Sequence, residues 1–267
     1  VKTSVFSLGL ALAVAGAGAA CSDSSGPGSA GTVELGLTVS TSPRAGSAPG
    51  FAPESVTVGQ HHLVLTKVEI VLREIELRRA AATTSCGRGS DNASANGGDD
   101  KGSNRRADNE CLEVEIGPLL VDLPLGGGTK RLVTATVDTG TFEAVQFTIH
   151  KLGSREGDQA FLAQHPDLEG ISMRAVGTYD GTPFQFASGV TVEQVNSLSP
   201  ALTITGTGST YLTLEVEVGS WFVAGGVGLI DPATANEGGP NASLVRENIR
   251  RSFHAFSDRD QDGKRDR

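Results

Sequence analysis

Basic residues are in short supply: 22 Lys and Arg stand against 31 Asp and Glu, for a net charge of −9. A nucleic-acid partner is excluded on that ground, because a phosphate backbone asks for a basic footprint. Past the N-terminal region there is no run of about 18 apolar residues, so no internal helix is expected to span a membrane. No G-x-S-x-G occurs in a strand–turn–helix setting, which removes the usual signature of a serine nucleophile. Cysteine occurs three times and methionine once in 267 residues. Glycine is abundant instead, with 35 residues, roughly twice the usual ~7% share. The length suits one large β domain or two small ones.

Lys2 precedes an apolar, small-residue stretch from Val5 to Ala20, so residues 1–20 read as a secretory signal. Cys21 follows, then Ser22, Asp23, Ser24, Ser25 and Gly26, which begin a polar linker over residues 21–31. Small residues before a Cys resemble a bacterial lipoprotein box, in which the Cys becomes the new N-terminus and carries lipid. Gly18 stands where that family usually has Leu. Ordinary cleavage after Ala19, leaving a free thiol, is the alternative. Lipidation at Cys21 implies anchoring in the bacterial envelope, since each buried CH₂ is worth about 0.8 kcal/mol. Ser22 in place of Asp resembles lipoproteins sent on to the outer membrane.

The other two cysteines, Cys86 and Cys111, bound a stretch with no large apolar residue. Such a segment cannot bury enough surface to offset its ordering entropy, so 86–111 is expected to be a disordered insertion. Apolar segments flank it on both sides. In an oxidising compartment a Cys86–Cys111 disulfide closing about 26 residues would contribute roughly 3.5 kcal/mol. A pair of metal-binding thiols is the alternative, without a CxxC spacing or nearby His to support it.

Thr32 to Ser40 alternates with a period of two, placing Val33, Leu35, Leu37 and Val39 on one face, which predicts a half-buried strand. From His62 to Ala80 the apolar residues fall as Leu63 and Leu65, then Val68, Ile70 and Leu72, then Ile75 and Leu77. The parity shifts twice, which predicts bulges or a break. Further strands are expected at Leu112–Ile116, Leu119–Leu123, Lys130–Val137, Ala144–Leu152, Ile171–Tyr179, Pro183–Ala187, Val190–Val195, Ala201–Thr205 and Tyr211–Val218. Asp180-Gly181 is a two-residue hairpin signal, because both residues accept positive φ. One short helix is expected from Asp158 to Gln164, stopped by Pro166. Many short strands without βαβ alternation predict an all-β, antiparallel sandwich over 32–223.

Thr66-Lys67-Val68-Glu69, Val121-Asp122-Leu123 and Gly140-Thr141-Phe142 together resemble an uncharacterised family of bacterial lipoproteins with a domain of unknown function. The resemblance covers roughly Val33 to Val218. It implies an immunoglobulin- or transthyretin-type sandwich and an envelope location, and it implies no reaction.

Residues 224–267 read as a loop, an amphipathic helix over 241–256 and an acidic loop over 258–266. Leu244, Val245, Ile249, Phe253 and Phe256 recur at three- and four-residue steps. Asp258, Asp260 and Asp262 then occupy positions one, three and five of an EF-hand-like calcium loop, with Gly263 at the sharp turn of position six. Lys264 would offer its backbone carbonyl at position seven, and Asp266 fits position nine. The twelfth position, where a bidentate Glu belongs, falls past Arg267, so the expected Ca²⁺ affinity is weak, about 10⁻⁴–10⁻³ M. A charged, frayed tail is the alternative.

His61 and His62 would face opposite sides of a strand and are expected at the surface. His150, opposite in parity to Phe147 and Ile149, is expected to face solvent, and so is Glu69 among the strand glutamates. The leading expectation is a membrane-anchored, non-catalytic binding or structural module, with an envelope protein or a glycan as its partner. A hydrolase of envelope polymer is one alternative. Metal scavenging through His61, His62 and the terminal Asp cluster is another.

Overall fold

The computed structural model describes residues 32–42, 53–79, 111–114, 117–206, 209–225 and 228–266. Cys21 and Cys86 lie outside them, and so do the expected lipidation site, disulfide and insertion. Strands β1 (Thr32–Thr41), β2 (Glu54–Val58), β3 (His61–Arg79), β4 (Cys111–Val114), β5 (Leu119–Asp122), β6 (Thr129–Asp138) and β7 (Gly140–Ile149) come first. Helix α1 (Glu156–Leu162) and a 3-10 turn at Pro166–Leu168 follow. Next are β8 (Met173–Tyr179), β9 (Thr182–Ser188), β10 (Val192–Ile204), β11 (Thr210–Val216), and the two-residue β12 (Val223–Ala224) and β13 (Gly228–Leu229). The described chain closes with α2 (Ala242–Arg251) and β14 (Phe253–Ser257). No described helix is long and apolar enough to cross a membrane.

These strands form the expected all-β sandwich. One sheet has the order β14-β11-β1-β6, and the other is built around β3. Each residue of a strand has one neighbour on either side, so the pairings sort the partners of β3 by edge. β2, β5 and β4 follow one another along one edge; β8 and then β7 follow along the other. The ladder shifts register between Leu65 and Lys67 against β8, and between Arg73 and Glu76 against β7. Those are the two places where the apolar parity changes. Glu74 takes a positive φ of 55° at the second. Each bulge turns the next apolar residues back inward, so Leu63, Leu65, Val68, Ile70, Leu72, Ile75 and Leu77 are all buried.

The inner faces meet over one core. Val33, Leu35, Leu37 and Val39 of β1 and Leu212, Leu214 and Val216 of β11 pack against β3, with Val145, Phe147 and Ile149 of β7. Trp221 and Phe222 are fully buried. Phe222 sets its ring edge-on to Phe186 at 5.2 Å, and the Trp221 indole N–H donates to Ser252 at 2.8 Å. Each such side chain contributes about 1.5–3 kcal/mol by leaving water.

The expected helix over 241–256 is shorter and gives way to a strand. Ala242–Arg251 forms α2, and Phe253–Ser257 forms β14 along the edge of β11. Val245, Ile249 and Phe253 are buried in both readings, so the spacing alone did not separate helix from strand. The open edge of β11 decides, because pairing there satisfies its ladder while Phe253 and Ala255 enter the core. Leu244, expected on the apolar face, is 42% exposed. The two segments expected at Val190–Val195 and Ala201–Thr205 form one strand, β10, with a register shift between Ser197 and Leu202. Asp180 and Gly181, at φ 50° and 80°, make the expected hairpin turn between β8 and β9.

The outer face of the β3 sheet departs from the expected plain solvent face. The chain leaves β7 and returns as β8 at a single residue. The His150 N–H donates to the Val71 carbonyl at 2.9 Å, and the Val71 N–H donates to Ser172 at 2.8 Å. The excursion between them covers Val71 with Leu152 and Leu168. His150 is therefore buried, and its Nε2 lies 2.8 and 3.0 Å from the two oxygens of fully buried Asp158. The Gly153 N–H also donates to that carboxylate, at 3.0 Å. Glu69 is buried as well, bound by Arg174 of β8 and by Lys67 at 2.9 Å. Burial alone would raise its pKa, but the Arg174 and then Lys67 hydrogen bonds and charges outweigh that and hold it low.

A carboxylate whose folded pKa is lowered contributes stability above its ordinary value, here 4.5, and that contribution is lost as the pH falls through the lowered value. Urea denaturation across pH 2–7 should show this acid limb. Glu69→Gln should flatten it and cost about 1–3 kcal/mol at neutral pH.

Candidate metal centre

The residues after β14 are docked onto the sandwich. The Asp258 N–H extends the strand ladder by one bond, donating to the Tyr211 carbonyl at 3.1 Å. The Asp258 carboxylate is fully buried. Thr213 of β11 donates its hydroxyl to Oδ2 at 2.7 Å, Gly263 donates its N–H to the same oxygen at 3.0 Å, and Asp262 donates its N–H to Oδ1 at 3.1 Å. The Thr38 hydroxyl of β1 meets that of Thr213 and donates to the Leu212 carbonyl at 3.3 Å.

Three other strands grip the same turn. Ser40 of β1 donates to the Gly263 carbonyl at 3.3 Å, and Arg131 of β6 donates to Gln261 Oε1 at 2.7 Å. Arg265 reaches the Ser199 carbonyl of β10 at 3.3 Å. Gly263 is required twice over. Its φ is +78°, and a Cβ there would stand 2.3 Å from Thr129 Oγ1.

On this base Asp260 and Asp262 project as exposed side chains. One oxygen from each of Asp258, Asp260 and Asp262 lies within 4.8 Å of the others. At that separation each pair repels by about 1 kcal/mol in bulk water and about 3.5 kcal/mol at an effective dielectric of 20. A cation among them would turn that cost into attraction. The donors are all carboxylate oxygens, which suit a hard cation better than a soft or imidazole-seeking one. Asp266 turns Oδ2 to the Arg259 N–H at 3.0 Å, and the Lys264 ammonium stands 3.8 Å from Asp262 Oδ2. Both members of that last pair are exposed, so it contributes little.

Histidine does not join the cluster. His61 places Nδ1 2.7 Å from Asp180 Oδ2 and stacks on Tyr179. His62 places Nδ1 2.9 Å from Thr57 Oγ1. The hydrogen bond with His61, and then the His62 backbone N–H, hold the Asp180 carboxyl below its usual range. The two rings thus serve separate local partners.

The Asp-x-Asp-x-Asp-Gly spacing identified the projecting ligands. Thr213 and Thr38 gave no such signal, because they reach Asp258 only through the pairing of β1, β11 and β14.

No family model matches the chain, and no curated protein matches it. Among solved structures, MbnP from Methylosinus trichosporium aligns with a TM-score of 0.41 and 11% identity, over 85% of this chain and 99% of that one. A likeness at this level transfers neither a site nor an activity.

The aspartates divide into a buried anchor and projecting arms, and their substitutions should separate. With chelator present, Asp258→Ala should lower unfolding free energy by about 2–4 kcal/mol, because it strands buried donors. Asp260→Ala, which relieves repulsion from Asp258 and Asp262, should match the parent or exceed it by up to about 2 kcal/mol. Urea denaturation of the two variants provides the comparison.

Proposed function

We propose that this chain is a lipid-anchored, non-catalytic binding or structural module of the bacterial envelope, with a calcium ion stapling its last loop to the sandwich. The observation that carries the calcium reading is the convergence of Asp258, Asp260 and Asp262. Their oxygens gather on a turn that four strands already hold, so much of the ordering cost is met before a metal arrives. The anchoring part rests on the apolar stretch of 5–20 and on Cys21. The non-catalytic part draws support from His150 and Asp158, a buried pair bonded to each other in seating the excursion. The ion serves structure in this reading, because its ligands follow directly on β14 and lie on a turn bonded to the sandwich.

At a dissociation constant of about 10⁻⁴–10⁻³ M, 10 mM Ca²⁺ should add roughly 1.4–2.7 kcal/mol, or about 3–10 °C in melting temperature. Scanning calorimetry with and without Ca²⁺ should show that rise, and the Asp260→Asn/Asp262→Asn double variant should lose it. An unchanged melting temperature would remove the calcium reading. Separately, Cys21→Ser should move the protein from the membrane fraction to the soluble fraction, as read by cell fractionation.

A further inference from the structure

The edge of β3 shared by β2 and β5 is interrupted. Pairing with β2 ends at Leu65 and pairing with β5 begins at Glu69. Among the described residues, no strand pairs with Thr66 and Lys67 on this edge. A groove of about 550 Å³ opens at the gap, within the range of small-molecule sites.

Its lining has a definite chemistry. Lys67 comes from β3 and Lys130 from β6, while Asp122 ends β5. Pro53 and Pro124 supply apolar surface beside the charges, over the buried Leu123 and Leu125. The Lys130 ammonium donates to the Asp122 carbonyl at 3.3 Å, and no described carboxylate forms an ion pair with it. Lys67 contacts Glu69, but Arg174 holds the same carboxylate. The Lys67 side chain is 48% exposed, so it can turn to a ligand while Glu69 keeps its second cation. Among the described residues, no aromatic side chain lines the groove.

We propose that this groove binds an acidic saccharide, with its carboxylate between Lys67 and Lys130, its hydroxyls on Asp122 and its carbon skeleton over Pro53 and Pro124. Two ammoniums lining one groove, one from each sheet, fit one anionic group. A free carboxylate suits hydroxyl donors, and a small apolar patch suits the C–H face of a sugar ring. The assignment rests on the binding-module reading and gives it a ligand class; it does not depend on the calcium loop.

The test is calorimetric titration of the full chain with digalacturonic acid, with cellobiose and inorganic phosphate as comparison probes. Digalacturonic acid should bind, and neutral cellobiose should bind at least about tenfold more weakly. Lys130→Gln should weaken the acidic probe by about tenfold or more, whereas Lys151→Gln, away from the groove, should leave it unchanged. Added salt should weaken binding in the parent. Equal affinity for the neutral and acidic disaccharides would overturn the proposal. So would an unaffected Lys130→Gln variant, or phosphate binding as tightly as the sugar acid. Release of galacturonate during the titration would support the groove assignment and overturn the non-catalytic reading. A calcium-dependent melting temperature with no saccharide binding would remove the groove assignment alone.

Discussion

Strand β3 must keep one face in the core for nineteen residues, and the rest of the fold depends on how it does so. A regular strand alternates faces without exception, and a regular twisted strand of that length would drift away from a flat partner sheet. Two register shifts resolve this, one after Leu65 and one after Arg73. They divide β3 into three short strands in series, each of which presents its apolar residues to β1 and β11. Five other strands take their positions from those three segments. The gap at Thr66–Lys67 and the departure of the α1 excursion at Val71 are local consequences of the same division.

The shift positions were legible because apolar spacing records which way a residue faces, and burial enforces it. The β8–β9 turn was legible because Asp-Gly accepts positive φ cheaply. What escaped was tertiary choice. Phe253 and Phe256 fit a helix stripe as well as a strand, and only the free edge of β11 settled it. His150 and Glu69 looked like solvent-facing positions because parity reports one sheet face and cannot report what later folds over the other. Asp158, eight residues after His150, and Arg174, far beyond Glu69, convert those polar side chains into buried, satisfied ones. The Asp258–Asp260–Asp262 spacing was readable, while the grip of Ser40, Arg131 and Thr213 on that loop was not. A short acidic motif specifies ligands; its rigidity comes from strands distant in sequence.

The two ends of the acidic loop follow different rules. Asp258 is bonded to donors from the backbone and from Thr213, so its charge is compensated without a metal. Asp260 and Asp262 project from that fixed base and carry the repulsion. A site organised this way keeps its shape when empty, and an arriving ion has only exposed side chains to order.

The parallel pairing of β1 with β11 has a consequence for biogenesis. Leu35 opposes Thr210 and Thr41 opposes Val216, so β1, which already has β6 on its other edge by mid-chain, gains this second neighbour only after most of the chain exists. β14, at the far end, then covers the outer edge of β11. Contacts this distant in sequence form slowly. The four-stranded sheet is therefore completed only when the last segments are available, whereas every strand around β3 has been made by residue 204.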